Sequence, residues 1–130
     1  MSEISVADEV EHYLQSLHTV VPQERECLVC FLLRMLTEFG CDASFTWARR
    51  FRDLRSPTAT ALEKRFGQRL VLCDCLIVHK AHRPVRELMV RDLRTDELER
   101  PERMPPCSGV RRTSTRACAN WERGGAEPPA

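Results

Sequence analysis

The cysteine content is the feature that most constrains how this chain can fold. The sequence holds seven cysteines in 130 residues, and it begins with an acidic stretch rather than a basic, apolar leader. No apolar run reaches the length of a signal peptide or a membrane helix. We therefore expect a cytoplasmic protein that does not bind membranes, and disulfides would not persist in that reducing compartment. Metal binding or thiol chemistry becomes the leading interpretation of the cysteines.

The composition is that of a globular domain. Hydrophobic residues make up 42% and charged residues 30% of the chain, while the formal net charge of +1 gives no overall attraction to nucleic acid. Lys64 and Lys80 are the only lysines among twenty basic residues, an arginine bias that suggests a GC-rich bacterial genome. Since no G-x-S-x-G, Walker or H-E-x-x-H motif occurs, the sequence indicates no enzyme class.

Apolar spacing predicts helices through the first half of the chain. The firmest is residues 22–39, which opens on a proline and ends before Gly40, as helices commonly do. Asp42 or Ser44 can cap a further helix over residues 45–54, and the pair Ser56-Pro57 starts a short one that ends at Gly67. A first amphipathic helix is indicated by apolar residues at helical spacing, namely Val6, Val10, Tyr13, Leu14 and Leu17.

The second half of the chain predicts strands and then irregular structure. Residues 69–79 are rich in branched aliphatics and read as a strand, which residues 85–90 can join as an antiparallel partner after a turn. Beyond residue 100 the pattern lacks periodicity. We predict an α+β fold with about four short helices on a two-stranded antiparallel ribbon. Residues 1–95 would form one cysteine-rich domain, and residues 96–130 an irregular, partly disordered tail.

Cys27 and Cys30 form a C-x-x-C pair in the first turns of the predicted 22–39 helix. This spacing lets two sulfurs converge on one tetrahedral ion. Cys30 points away from the apolar stripe and Cys27 lies at its edge, so neither is simply another residue of that face. Inert burial of two small thiols remains the alternative.

Cys73 and Cys75 flank Asp74 in the predicted strand, where alternation sends both sulfurs to one face. His79 and His82 are candidate nitrogen ligands nearby, although exposed histidines are common at such turns. Cys41 lies about 15 to 20 Å from the C-x-x-C pair, at the other end of the helix.

One ion therefore cannot collect all five of these sulfurs, and two schemes stay open. In the first, Cys27 and Cys30 join Cys73 and Cys75. In the second, Cys41 joins Cys73 and Cys75, and the C-x-x-C pair takes its partners from Cys107 and Cys118. Either scheme predicts a closed zinc site, which is typical of structural metals.

These residues resemble a known family. Residues 26–78 are similar to small uncharacterised bacterial proteins, frequent in actinobacteria, that are catalogued as a domain of unknown function. The resemblance rests on the C-x-x-C pair, on Cys41 with its neighbours Gly40 and Asp42, on Trp47, and on the C-D-C motif. Family members carry Gly-Gly-aromatic before C-D-C and Glu after it, whereas this chain has Leu-Val-Leu and Leu76. The resemblance implies a role for the cysteines and no activity.

Three functions compete at this stage. A zinc-stabilised interaction module with an unidentified protein partner is the first, because metal can supply folding energy that a small core lacks. A thiol redox or metal-sensing protein is the second, since a helix N-terminus favours the Cys27 thiolate. A nucleic-acid-binding regulator is the third. It would use an arginine-rich face that comprises Arg49, Arg50, Arg52, Arg55, Arg65 and Arg69.

Overall fold

A computed structural model describes residue 9 and residues 20–124 of the chain. The predicted helix over residues 6–17 lies outside the described residues. The α+β class is confirmed. The helices are α1 (Leu28–Phe39), α2 (Thr46–Arg55), α3 (Leu62–Gln68) and α4 (Asp74–Leu76), which continues as a π-helix (Ile77–Ala81), and a 3₁₀ helix (Arg86–Leu88). The strands are β1 (His82–Pro84), β2 (Val90–Arg91), β3 (Leu98–Glu99) and β4 (Trp121–Arg123).

Helix α1 contributes more buried apolar residues than any other described element, because its apolar face follows the helical repeat. Leu28, Phe31, Leu32 and Met35 are buried, as their spacing predicts. The predicted stripe also includes Leu36, which is half-buried, and Phe39, which lies in the last turn and is 53% exposed. The helix ends at Gly40, whose φ of 78° lies in the left-handed region that favours glycine. It begins at residue 28 and not at residue 22 as predicted, because Cys27 takes the N-cap position in extended conformation.

Aromatic contacts link α1 to α2 and the start of α2 to α3. The rings of Phe31 and Phe51 lie 5.8 Å apart between α1 and α2, and those of Phe45 and Phe66 lie 6.4 Å apart. Both distances fall in the range where aromatic pairs add stability beyond the area that they bury. The two helices follow the predicted order, but α3 begins at Leu62, later than the predicted start beside Pro57.

The predicted strand over residues 69–79 is wrong. The chain turns at Leu70, which has a φ of 60°, and it is helical from Asp74 to Ala81. The buried residues of this helical segment are Asp74, Ile77, Val78 and Ala81, which follow the helical i, i+3, i+4, i+7 repeat. The strand interpretation placed Asp74 only on the face opposite the two cysteines, whereas the helical repeat places its side chain in the core.

The single predicted ribbon is also wrong. Two short antiparallel ribbons replace it, in which β1 pairs with β4 and β2 pairs with β3. Residues 85–90 hold the 3₁₀ helix and only the start of β2. The irregular character of residues 101–120 is confirmed, yet this segment packs on the core and leads into β4, where Trp121 is buried. Among the described residues, no helix is both long and apolar enough to cross a lipid bilayer.

Gly124 fixes how closely the C-terminal segment approaches β1. A methyl group there would lie 2.9 Å from the backbone carbon of His82 and 3.0 Å from the Lys80 carbonyl oxygen. We expect Gly124→Ala to lower the free energy of unfolding by about 1–3 kcal/mol, because backbone atoms must move. Gly67→Ala is the matched control. It meets open space inside α3 and should raise stability by up to about 1 kcal/mol. Equal shifts of the two urea midpoints would contradict this assignment.

Candidate metal centre

Four cysteines from the two ends of the described chain meet in one cluster. Cys27 and Cys30 lie at the start of α1, whereas Cys107 and Cys118 belong to the irregular C-terminal segment. Their four sulfur atoms lie within 4.8 Å of one another. All seven cysteines are among the described residues, and none of them forms a disulfide. The arrangement brings together the ligand set of the second predicted scheme.

The start of α1 places its two sulfurs side by side. Cys27 is the N-cap residue, and its Sγ accepts a hydrogen bond from the backbone N–H of Cys30 at 3.3 Å. A sulfur thus takes the role that a serine or aspartate oxygen usually has at a helix start. Residues three apart lie on adjacent positions of a helical surface, so both thiols face the same way.

The C-terminal segment places Cys107 against the N-cap. The Cys107 Sγ accepts hydrogen bonds from the backbone N–H of Cys27 at 3.2 Å and of Gly109 at 3.4 Å. Gly109 has a φ of 94°, which a residue with a side chain rarely adopts. The next residue, Val110, donates its N–H to the carbonyl of Arg25 at 2.9 Å. These contacts hold the segment across the start of α1.

Trp121 closes the cluster from the other side. Its indole Nε1–H donates to the Cys30 Sγ at 3.3 Å, and its backbone N–H donates to the Cys118 carbonyl at 3.1 Å. The Cys118 Sγ itself lies 3.8 Å from the Cys30 Sγ. Each of the sulfurs of Cys27, Cys30 and Cys107 therefore accepts at least one N–H, which is the arrangement that stabilises thiolates and fixes metal ligands.

The spacing of the sulfurs suits a tetrahedral ion. Zinc–sulfur bonds of about 2.3 Å in a regular tetrahedron separate neighbouring sulfurs by about 3.8 Å. The Cys30–Cys118 distance of 3.8 Å equals that value, and the 4.8 Å limit on the remaining pairs requires only a small contraction. The spacing of the four sulfurs is therefore close to that of a metal-bound set.

Proton affinities within the cluster differ sharply. A hydrogen bond with the Cys30 side chain lowers the pKa of Cys27 to about 6, against the opposing effect of burial. The pKa of Cys30 is raised, first because it gives that hydrogen bond to Cys27 and then because it is buried. Burial also raises the pKa of Cys107. Within the C-x-x-C pair, the hydrogen bond between the two thiols thus favours the thiolate of Cys27 over that of Cys30.

The other three cysteines lie at the opposite end of α1. Cys41 follows the helix and is exposed, while Cys73 and Cys75 flank the buried Asp74. The Asp74 backbone N–H donates to the Ser44 carbonyl at 2.9 Å, which brings the two segments together. The pKa values of Cys73 and Cys75 are raised, mainly by burial and further by the neighbouring Cys41. These thiols are not part of the four-sulfur cluster.

Asp74 is a structurally important residue that the sequence interpretation missed. Its carboxylate accepts the backbone N–H groups of Trp47 at 2.8 Å and Ala48 at 3.0 Å. These are the second and third residues of α2, so Asp74 caps this helix from a distant segment. The sequence predicted Asp42 or Ser44 for this role, but their side chains bond to each other and to Thr46.

The structure divides the six arginines of the predicted nucleic-acid face into two groups. Four of them are engaged within the fold: Arg49 and Arg52 bond to Glu63, Arg50 to the Val20 carbonyl, and Arg55 to the carbonyls of Arg112 and Gln23. The other two, Arg65 and Arg69, line a cavity beside α3. His82 lies at the same cavity, and its Nδ1 lies 2.8 Å from the Ile77 carbonyl oxygen.

Comparison with known proteins gives one family match, over part of the chain. Residues 28–79 match the family model described as "Protein of unknown function (DUF2695)". This confirms the resemblance to a domain of unknown function. The DUF2695 segment runs from the start of α1 into the π-helix, and it contains Cys30, Cys41, Cys73 and Cys75. Cys27, Cys107 and Cys118 lie outside it. Searches of curated proteins and of solved structures found no match to the chain.

Proposed function

We propose that this protein is a zinc-stabilised binding module in which Cys27, Cys30, Cys107 and Cys118 hold one structural ion. The observation that carries the proposal is the convergence of four sulfurs within 4.8 Å from segments far apart in the sequence. Buried thiols are common singly, but four at tetrahedral spacing with N–H donors on the sulfurs are typical of a metal centre.

The ligand set favours zinc and a structural role. Four thiolates are soft ligands that suit zinc, and a closed site with four protein ligands leaves no open position for a substrate. When bound, the ion supplies a cross-link between the start of α1 and the C-terminal segment. Residues 101–120 contain no helix or strand, so their position depends on such anchors.

The proposed function is therefore binding through the surface that this cross-linked fold displays. Leu70 and Leu72, beside the C-D-C motif, are 69% and 59% exposed, and Leu93 is 93% exposed. A protein partner would cover these apolar side chains on binding.

Cobalt substitution tests the ligand set. We expect purified, reduced protein to contain one zinc per chain, and Co²⁺ exchanged into it to show the absorption bands of a tetrahedral tetrathiolate. Cys118→Ser should lose these bands and Cys75→Ser should keep them. Protein that contains no metal and binds no cobalt, or a Cys75→Ser variant that alone loses the bands, would refute the proposal.

Thiol redox chemistry is a second candidate, favoured by the Cys27 thiol with its pKa of about 6 beside Cys30. A dithiol at a helix N-terminus is a common redox arrangement. Alkylation with iodoacetamide separates the two functions. The metal module predicts that Cys27 reacts slowly until the ion is removed, whereas the redox function predicts rapid reaction of Cys27 in protein as purified.

A further inference from the structure

A cavity of about 690 Å³ lies between α3, β1, β4 and residues 115–117, outside the metal centre. This volume is in the range of sites for small molecules. Its described lining combines arginines with apolar side chains. The residues are Leu62, Arg65, Phe66, Arg69, His82, Thr115, Arg116, Ala117, Trp121, Glu122 and Arg123.

The positive charge around this cavity is largely uncompensated. The guanidinium groups of Arg65, Arg69 and Arg116 make no hydrogen bond or ion pair with any described residue. Glu122 is the one acidic side chain of the described lining, and it accepts a hydrogen bond from Arg83 at 2.8 Å. Three guanidinium groups without a partner among the described residues favour a ligand with several negative charges. Each guanidinium group can donate two parallel hydrogen bonds to the oxygens of a phosphate group.

The apolar side of the cavity offers an aromatic surface. Phe66 and Trp121 are buried to more than nine-tenths and line the cavity together with Leu62. Trp121 is held in place by its hydrogen bond to the Cys30 Sγ, and the Arg100 guanidinium lies 5.9 Å from the centre of its ring. A fixed apolar wall beside these arginines suits a ligand that joins an apolar ring to phosphate groups.

We propose that this cavity binds a nucleoside phosphate, with the base against Phe66 and Trp121 and the phosphates on Arg65, Arg69 and Arg116. A single nucleotide fits the observed volume, whereas four of the six arginines predicted to contact a nucleic-acid polymer are bonded within the fold. The proposal does not depend on which metal the cysteines hold, since none of the four cysteines lines the cavity.

Isothermal titration with ADP tests this site, with adenosine and pyrophosphate as the two halves of the ligand. We expect ADP to bind more tightly than either half, and to bind more weakly as salt is raised. Arg69→Gln and Arg116→Gln should each weaken ADP binding by about tenfold or more, the loss expected for one charge-assisted hydrogen bond. Arg94→Gln is the matched control, because Arg94 is exposed and lies outside the cavity.

Each alternative outcome overturns the proposal in a distinct way. Failure of ADP to bind at millimolar concentration removes the site. Pyrophosphate that binds as tightly as ADP reduces it to a simple anion site without base recognition. If Arg94→Gln loses as much ADP affinity as the cavity variants, the attraction is nonspecific. If a ten-nucleotide RNA binds more tightly than ADP, the arginines bind a nucleic-acid polymer and not a single nucleotide. All variants keep the four clustered cysteines, so any chelation of the metal by phosphate is common to every titration.

Discussion

Cys118→Ser is expected to abolish metal binding and to release the C-terminal segment from the core. Cys118 is buried, and its sulfur lies 3.8 Å from that of Cys30, so no other described thiol can replace it in the cluster. Loss of a structural metal is among the few single changes that cost more than about 4 kcal/mol in the free energy of unfolding. Chemical denaturation of the zinc-loaded parent and of the variant measures this loss.

Limited trypsin digestion locates the effect within the chain. Arg103, Arg111 and Arg116 lie in the released segment, so we expect early cleavage there in Cys118→Ser, while peptides from α1 and α2 remain protected. Cys41→Ser is the matched control, because Cys41 is exposed and lies outside the cluster. A Cys118→Ser protein that keeps its metal and resists trypsin like the parent would show that the cluster does not hold the segment.

Asp74→Ala should produce the second large effect, through a helix cap and not through the metal. The change leaves the N–H groups of Trp47 and Ala48 without their acceptor at a buried helix start. Hydrogen bonds to a charged group contribute about 1.5–3 kcal/mol each, and relief from burying the carboxylate offsets part of their sum, so we expect a loss of about 2–4 kcal/mol. Burial raises the pKa of Asp74, and the two N–H donors oppose that rise.

Asp42→Ala is the control for this prediction, since Asp42 is the cap that the sequence predicted. Its carboxylate is exposed and bonds to Ser44 and Thr46, so its removal should change the free energy of unfolding by less than about 1 kcal/mol. Asp74→Asn should lie between the two, because the amide keeps one acceptor oxygen. Urea denaturation in which Asp42→Ala costs as much as Asp74→Ala would overturn the assigned cap, and zinc content should stay unchanged throughout.

The helical half of the fold could be predicted because local patterns determine it. The stripe of Leu28, Phe31, Leu32 and Met35 and the stop at Gly40 are properties of neighbouring residues, and the structure contains both. The start of α1 was misplaced because the backbone is extended at Cys27, where its N–H donates to the sulfur of Cys107, eighty residues away. Such long-range contacts leave no periodic signal in the sequence.

The segment around Asp74 shows the same limit more clearly. Its branched aliphatics are equally compatible with a strand or a buried helix, and the decision depended on whether a carboxylate could be buried. Burial is favourable here because the first N–H groups of α2 have no acceptor at their own N-cap and bond to the Asp74 carboxylate instead. The spacing of apolar residues does not reveal this contact. The length of the helix predicted that Cys41 lies too far from the C-x-x-C pair to share an ion with it, and Cys41 is not part of the four-sulfur cluster. The sequence could not choose the partners of the C-x-x-C pair, because residues 101–120 lack any pattern that places them.

Native mass spectrometry of reduced, untagged protein tests the central claim most directly, by counting zinc ions in the parent, in Cys107→Ser and in Cys73→Ser. We predict one ion in the parent, none in Cys107→Ser and one in Cys73→Ser, because only Cys107 belongs to the four-sulfur cluster. A parent without zinc, or an ion that survives in Cys107→Ser and is lost in Cys73→Ser, would contradict it.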